Sequence, residues 1–367
     1  MKKLLPLILL LSMALCLLSG CGSPAAAPSD APGETRTVTD GVGRAVEIPA
    51  VVESIVPLGN TPRMITYLGL ADRAVGIEAC ETADSPIKAY AYVVQDHWKD
   101  LPIVGNNSLG ASEWYAEELV ACAPDVILCT YDKQTADDIQ AQTGIPVIAV
   151  DQGALFDERY NESLRILGEV CGVSDRAEAV VKYISDTLAD ISTRVADIPD
   201  DDKPTVLAAG ATFKGGHSID GVYCRYPLFD VLKANDVAAG ISDSMGGKLV
   251  DKEQILAWDP EMIFFDSGSM ALVNTDYAEN PDYFSQLQAV NNGELYQWPN
   301  STWHWSNVEI PLVSAYYVGS VLYPEAFADV DFEAKASEIF DFFLSAPDFL
   351  TVLEDAGAGY GKITLGN

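Results

Sequence analysis

The sequence has few basic residues for its size. Its 367 residues include 22 lysines and arginines against 54 aspartates and glutamates, which gives a formal net charge of −32. Proteins that bind nucleic acid or anionic membranes by charge present positive surfaces to the phosphates. The composition therefore argues against both partners and favours solubility outside the cell.

Histidine is also scarce. The three histidines, His97, His217 and His304, lie in different segments and form no HxH or HExxH pattern. A bare zinc or manganese ion would need several of them to converge with a carboxylate. That convergence stays open as an alternative, while the main prediction is a protein with no metal and no cofactor of its own.

The cysteines lack any paired motif. Five of the seven fall in the part expected to fold, and none belongs to a CxxC pattern. Cys122, Cys129 and Cys171 have apolar neighbours and are predicted to be buried. With Cys80 and Cys224 as the other two, the sequence alone assigns no disulfide.

Motifs of catalysis are missing as well. The chain has no GxSxG elbow, no cysteine–histidine pairing in a recognisable context and no Rossmann glycine fingerprint. Acidic pairs are too frequent in so acidic a chain to single out a general acid and base. We predict that the protein is not an enzyme.

A single long apolar run occurs, near the amino terminus. Residues 4–18 follow two lysines and are too short to span a bilayer comfortably, a pattern typical of a signal peptide over residues 1–20. Loss of the two lysines with that peptide would take the formal charge from −32 to −34. The run ends in LSGC, which resembles the lipobox of bacterial lipoproteins. Cys21 is therefore predicted to carry a lipid, with ordinary cleavage as the alternative.

Residues 21–34 are predicted to be the lipidated cysteine and a flexible tether. The segment GSPAAAPSDAPG is rich in small residues and proline, with no bulky apolar side chain. Such a segment buries too little apolar surface to fold.

The remaining chain alternates short apolar strands with helices, which predicts an α/β fold with parallel strands. It is longer than one hydrophobic core usually holds, so two domains are expected. Apolar residues recur at helical spacing over residues 174–198, with Ser174 as the expected N-cap, and a helix of this length spans about 36 Å. The predicted organisation is an N-terminal α/β lobe at 35–173, a spanning helix at 174–198, and a C-terminal α/β lobe with closing helices at 199–367.

Both predicted lobes contain the same small unit. Residues 117–128 read EELVACAPDVIL and residues 253–264 read EQILAWDPEMIF. In each, a short helix begins with a glutamate, stops at a proline and leads into a buried strand. The repeat predicts two related lobes.

The Gly-Asn-Thr-Pro turn at 59–62, the two repeated units and the long helix between them resemble the class III substrate-binding proteins of ABC importers, over about residues 35–345. The resemblance implies two Rossmann-like lobes joined by one long spanning helix, with ligand held in the cleft between them. It also implies permease and ATPase partners, a monomer anchored outside the cell by its lipid, and docking on the permease through Glu117 and Glu253. The alternative is a structural role, in which each glutamate stabilises the N-terminus of its own helix through the helix dipole.

The ligand implied by the resemblance is an iron chelate, siderophore- or haem-like. A corrinoid, a molybdate- or tungstate-type oxyanion, or a bare metal ion held by the three histidines are the alternatives. Ligand contacts are expected from loops at the strand ends that face the cleft. The candidates are Asn60, Arg63, Tyr131, Lys214, His217, Tyr223, Arg225, Trp303, His304 and Trp305; plain turns, a surface loop and loop-packing tryptophans are the alternatives.

Overall fold

Short apolar runs form the strands of the N-terminal half, and amphipathic segments form its helices. We describe a computed structural model over residues 33–108, 111–243, 246–300 and 307–366, without the side chains of residues 108 and 111. The strands are β1 (Thr35–Thr39), β2 (Ala45–Pro49), β3 (Ile55–Pro57), β4 (Ile77–Glu78), β5 (Ile103–Ser108), β6 (Ala111–Trp114), β7 (Val126–Cys129) and β8 (Val147–Ala149). The helices are α1 (Thr61–Tyr67), α2 (Ala89–Tyr92), α3 (Gln95–Trp98), α4 (Ala116–Cys122), α5 (Lys133–Thr143) and α6 (Glu158–Val170).

The central strands of this half are parallel. They lie in the order β3-β7-β8 and are buried along their whole length. Continuous burial explains why they are unbroken apolar runs, as parallel strands covered on both faces usually are. The helices between them begin and end at recognisable signals: Asp132 accepts from the Thr135 N–H at 2.8 Å to cap α5, and Gly144 ends it in the left-handed conformation.

The predicted spanning helix is present but shorter than expected. Helix α7 (Ser174–Arg194) has 21 residues and is about 31 Å long. The predicted end at residue 198 was wrong, and so was the cap, because Ser174 is the first helical residue and Val173 precedes it without a side-chain bond. Arginines near the two ends of α7 bond to other elements: Arg176 donates to the Tyr67 carbonyl at 2.9 Å and also to the Phe342 carbonyl of the C-terminal half, and Arg194 donates to Asp329 at 2.6 Å.

The C-terminal half follows α7 and is again mixed α/β. Its strands are β9 (Thr205–Ala209), β10 (Gly221–Cys224), β11 (Asn235–Asp236), β12 (Gly246–Leu249), β13 (Met262–Asp266), β14 (Leu295–Trp298) and β15 (Gly361–Lys362). Its helices are α8 (Pro227–Val231), α9 (Lys252–Trp258), α10 (Met270–Glu279), α11 (Pro281–Phe284), α12 (Gln288–Asn292), α13 (Glu309–Leu322), α14 (Phe332–Leu344) and α15 (Phe349–Asp355).

The two halves repeat one arrangement of strands. In the C-terminal half β9, β13 and β14 are parallel neighbours, as β3, β7 and β8 are in the N-terminal half. Helices α4 and α9 have seven residues each, and both end at a left-handed residue before a proline, Ala123 and Asp259. The sequence repeat is therefore a structural repeat.

One acidic residue in each repeat ties its strand to the next. Asp125 accepts from the Ser54 N–H at 2.9 Å, and its own N–H donates to the Ser54 hydroxyl at 3.0 Å. Glu261 accepts from the Thr205 N–H at 2.7 Å, and its own N–H donates to the Thr205 hydroxyl at 3.0 Å. These reciprocal pairs fix the start of β3 against the start of β7, and the start of β9 against the start of β13.

The core is continuous across the chain. One apolar cluster lies within the N-terminal sheet and another within the C-terminal half, but the largest joins both through α7, α13 and α14. Residues Thr35–Asn367 accordingly form one compact unit, and the boundaries of two separate lobes stay a prediction. Within the described ranges, no helix is long and apolar enough to cross a membrane.

All five cysteines of the folded part are free thiols. Cys129 and Cys171 are buried as predicted. Cys122 is only partly buried, which corrects the prediction, because its position near the end of the short helix α4 leaves the side chain at the margin of the core.

Candidate ligand-binding site

The carboxyl ends of β3 and β7 meet at one edge of the N-terminal sheet, since parallel strands end on the same side. Gly59 turns the chain there with a φ of +68°, and a Cβ at this position would lie 2.5 Å from the Thr130 hydroxyl oxygen. The Gly59 N–H donates to Glu78 at 2.7 Å, and the Asn60 N–H donates to the Thr130 hydroxyl at 2.9 Å. Tyr131 donates its hydroxyl proton to the other oxygen of Glu78 at 2.9 Å.

Glu78 is the centre of this edge. Its side chain is buried, and burial raises its pKa to about 7, against the lowering effect of the hydrogen bonds from Gly59 and Tyr131. Part of the population is therefore protonated near neutral pH. Sequence reasoning missed Glu78, because a lone glutamate at the end of a two-residue strand has no motif around it.

Arg63 is buried beneath this edge rather than exposed to it. Its guanidinium donates to Asn307 at 3.0 Å and to the side-chain oxygen of Asn60, and it lies 4.4 Å from the centre of the Tyr90 ring. These contacts compensate the cost of burying the charge. The structure brings the predicted residues Asn60 and Arg63 together but directs them at each other, so their contact with a ligand stays a prediction.

The carboxyl ends of β9, β13 and β14 form the corresponding edge of the C-terminal half. Tyr223 donates to Asp266 at 2.7 Å, and Asn300 donates to the Thr212 hydroxyl at 2.7 Å. The Thr212 hydroxyl lies 3.3 Å from the same oxygen of Asp266. Burial raises the pKa of Asp266 to about 6, while the bond from Tyr223 acts to lower it.

The repeat itself contained the signal for this second edge. Asp266 stands at the same offset from Glu253 as Thr130 does from Glu117, so both lie at the carboxyl end of the repeated strand. Sequence reasoning selected Tyr223 but missed Thr212, Asp266 and Asn300, because each is a single polar residue at or beyond the end of a strand.

The other candidates of the C-terminal half lie in different places. Lys214 is exposed two residues beyond Thr212, at a φ of +52°. His217 is half-buried, with one ring nitrogen 2.9 Å from the Phe213 carbonyl oxygen. Arg225 follows β10, which is antiparallel to β9, so it lies towards the opposite end of the sheet and this position gives no support to a ligand contact.

A buried contact joins the beginning of α13 to α1. Tyr67 donates its hydroxyl proton to Glu309 and accepts the Val308 N–H at 3.1 Å. Burial raises the pKa of Glu309. Asn300 at the C-terminal edge and Asn307 beside Arg63 are seven residues apart, so chain length limits their separation to about 25 Å.

The positions of the histidines bear on the alternative ligand, a bare metal ion. Within the described ranges, no group of three or more histidine, cysteine, aspartate or glutamate side chains is arranged to hold one. His97 is exposed on α3, and His217 has the partner given above. Trp303, His304, Trp305 and the predicted lipidation site Cys21 lie outside the described residues.

The two predicted docking glutamates occupy equivalent positions. Glu117 and Glu253 are exposed in the first turns of α4 and α9. Each helix ends at a left-handed residue before a proline and leads directly into the strand of its repeat, β7 or β13. The two glutamates are therefore equivalent in the repeat, and docking through them stays a prediction.

Several known proteins are similar to this chain in sequence. A family model described as "Periplasmic binding protein" matches residues 63–302. An uncharacterised ABC transporter substrate-binding lipoprotein of Bacillus subtilis, YvrC, is 26% identical over 306 residues, which are 81% of this chain and 90% of that protein. The molybdate-binding protein MolA of Haemophilus influenzae is 23% identical over 254 residues, 62% of this chain and 69% of that protein.

Solved structures show the same fold. A periplasmic solute binding protein of Veillonella parvula superposes with a TM-score of 0.67 at 20% identity, over 85% of this chain and 93% of that one. MolA bound to molybdate superposes with a TM-score of 0.63 at 21% identity, over 84% and 98%. Two repeated α/β halves, a long helix between them and polar strand ends define the fold of class III substrate-binding proteins. The chain belongs to the periplasmic binding protein family.

Proposed function

We propose that this protein is the extracellular, lipid-anchored substrate-binding protein of an ABC importer. It captures a small ligand between its two halves and delivers it to the permease, while partner subunits hydrolyse ATP. The observation that carries this proposal is the matched pair of polar strand ends, one in each repeat, with an exposed glutamate in the first turn of the repeated helix in each half. Family membership and the lipoprotein relative support it.

The proposed role is binding without catalysis. The relatives named above are binding proteins. The polar groups described at the two edges are engaged with one another: Tyr131 with Glu78, and Tyr223 with Asp266. Such pairs hold side chains in fixed orientations, which suits recognition.

The proposed ligand is an iron chelate. A carboxyl group lies behind each edge, in Glu78 and Asp266. The buried cations of the N-terminal half near this edge, Arg63 and Lys88, already have protein partners. This charge distribution favours a ligand that arrives neutral or positive. The chelate would keep the metal within its own ligands, so the protein needs no set of histidines.

A molybdate-type oxyanion is the second candidate, because MolA matches both in sequence and in structure. An oxyanion would need hydrogen-bond donors and a cation. Lys214, exposed beside Thr212, is the described cation placed to serve. The carboxyl groups behind both edges count against this candidate.

Docking and anchoring complete the proposal. Glu117 and Glu253 would each meet an arginine of the permease, since a carboxylate and a guanidinium pair in a fixed, two-bond geometry. A lipid on Cys21 would hold the protein at the membrane and raise its effective concentration beside the permease.

The proposal is tested by native mass spectrometry of the purified protein against a panel of ligands. The panel contains a ferric siderophore, haem, cobalamin, molybdate, tungstate, zinc and manganese. We expect one stoichiometric complex with a ferric chelate. A complex with molybdate would select the second candidate, and the absence of any complex across the panel would refute the receptor function.

A further inference from the structure

A cavity of about 380 Å³ opens at the carboxyl end of β7. It lies between the β5–β6 hairpin and the beginning of α5. Its lining consists of aromatic rings and uncharged hydrogen-bonding groups, together with one carboxylate: Asn107, Ser112, Trp114, Thr130, Tyr131, Asp132, Thr135 and Gln152. Tyr131 makes this cavity part of the N-terminal edge described above.

We infer that this cavity binds an uncharged, amide- or hydroxyl-bearing arm of the ligand, so that the ligand is a neutral chelate of the hydroxamate type rather than an oxyanion or a catecholate. The inference rests on the proposed function and names the chemical class of its ligand. Three features of the cavity carry it.

The first feature is free hydrogen-bonding capacity in amide groups. The Asn107 side-chain oxygen accepts from the Ser112 hydroxyl at 3.4 Å, and its amide nitrogen has no partner among the described residues. The Gln152 amide, half-buried on the opposite wall, likewise has no partner within that part of the chain. Amides both donate and accept, so they match a ligand group that does the same.

The second feature is the fixed polarity of Tyr131. Its hydroxyl proton is donated to Glu78, which the Gly59 N–H holds in place. The Ser112 hydroxyl in the cavity lining also hydrogen-bonds to this phenolic oxygen, so what the oxygen still offers a ligand is its remaining acceptor position. A ligand N–H or O–H matches that position, whereas a fully deprotonated oxyanion would set one acceptor against another.

The third feature is charge. Among the residues that the structure describes, no lysine or arginine lines the cavity, and Asp132 places a carboxylate at its rim, where it caps α5. The neighbouring Lys133 is exposed and paired with Asp137 at 2.6 Å. A dianion or trianion would meet negative charge without a counter-charge, while a neutral chelate meets none of this repulsion.

Trp114 offers a direct optical test. Its indole is half-buried in the cavity wall, with its N–H donated to Gln142 at 3.2 Å. We would titrate the purified protein with ferrichrome, ferric enterobactin and molybdate, following tryptophan emission and calorimetric heat. Ferrichrome, a neutral trihydroxamate chelate, is expected to bind and change the emission, and Trp114→Phe should remove most of that change.

Substitutions decide whether the cavity is responsible. Gln152→Ala and Asn107→Ala should each weaken ferrichrome binding about tenfold or more, the fold-change expected for one lost hydrogen bond to a polar ligand. Gln134→Ala, on the exposed face of α5, is the matched control and should bind as the wild type does. Circular dichroism verifies that each variant is folded.

The outcomes separate this inference from the proposed function. Binding of ferric enterobactin or molybdate in preference to ferrichrome would overturn the inference and leave the receptor function standing. The inference would also be overturned if ferrichrome bound to Gln152→Ala and Asn107→Ala as tightly as to the wild type. The proposed function itself would be overturned if none of the three probes bound and if native mass spectrometry also detected no complex with any ligand of the panel given above.

Discussion

The hydroxyl of Tyr131 donates a 2.9 Å hydrogen bond to the carboxyl group of Glu78, a residue that is fully buried. The C-terminal half has a counterpart, in which Tyr223 donates to the buried Asp266 at 2.7 Å. Each half thus fixes a tyrosine at its candidate ligand edge by means of a buried acid. Burial raises the pKa of both acids, to about 7 and about 6.

The raised pKa of Glu78 predicts that stability falls as pH rises. The ordinary pKa of a glutamate, 4.5, rises to about 7 for Glu78 in the fold, so the folded state holds the proton more tightly than the unfolded chain. The stabilisation is complete below pH 4.5 and is lost as pH rises through 7. At 1.36 kcal/mol per pKa unit, wild type should lose about 3 kcal/mol relative to Glu78→Gln between pH 4 and pH 8.

Urea unfolding of both proteins across this pH range measures the difference. Glu279→Gln, exposed at the end of α10, is the control and should run parallel to wild type. A constant gap between wild type and Glu78→Gln at every pH would show that Glu78 titrates alike in the folded and unfolded chains.

The reciprocal bonds of Asp125 and Glu261 predict matched losses of stability. Asp125→Ala removes two acceptor bonds and leaves the Ser54 N–H without its partner. Because hydrogen bonds to a charged group contribute about 1.5–3 kcal/mol and this one is partly exposed, we expect a loss of about 1–2 kcal/mol. Glu261→Ala should lower the free energy of unfolding by the same amount or by less, since Glu261 is more exposed than Asp125.

The two losses should add in the double variant, because the bonds lie in different halves and share no partner. Chemical unfolding measures each free energy, with the exposed Asp201→Ala as control. A double variant no less stable than either single variant would mean that the bonds of Asp125 and Glu261 belong to one network. That result would contradict their assignment to two independent halves.

Much of the fold followed from periodicity and one repeat. Buried strands such as β7 and β8 are unbroken apolar runs, and the constant offset between residues 117–128 and 253–264 identified the paired units. The end of α7 was harder to predict, because Val195 is buried next to the last helical residue and continues the apolar spacing after the helical hydrogen bonds have ended.

The candidate site was less predictable than the fold. Residues such as Glu78 and Asp266 act through partners that are distant in sequence, and a lone acid in a chain with 54 acidic residues has no distinguishing pattern. Arg63 shows the opposite case: a cation in a promising turn is satisfied by Asn307, 244 positions away, which no local pattern reveals.

The proposed lipidation of Cys21 predicts where the protein is found after cell fractionation. Cys21→Ala removes the thiol proposed to carry the lipid, so the protein should move from the membrane fraction to the soluble extracellular fraction. Cys80→Ala, within the fold, is the control and should stay with the membrane. Immunoblotting of both fractions measures the change, and a Cys21→Ala protein still held by the membrane would contradict the lipid anchor.

The equivalent positions of Glu117 and Glu253 predict that docking and ligand capture can be separated. Both are exposed in the first turn of a short helix, away from the buried bonds of Glu78 and Asp266. Replacing both by arginine would turn the two attractions proposed above, each to an arginine of the permease, into repulsions. Uptake of the ligand should then be abolished, while its affinity for the isolated protein stays unchanged.

Uptake by whole cells and calorimetry on the purified protein measure the two quantities side by side. Glu333→Arg is the matched control, because Glu333 is also exposed in the first turn of a helix but belongs to α14, outside the repeat. Loss of uptake in the control would point to a general effect of charge. Normal uptake by the Glu117→Arg, Glu253→Arg protein would refute docking through these two residues. A weakened ligand affinity would instead assign the glutamates to the ligand site, since a residue that only docks alters nothing but the encounter with the permease.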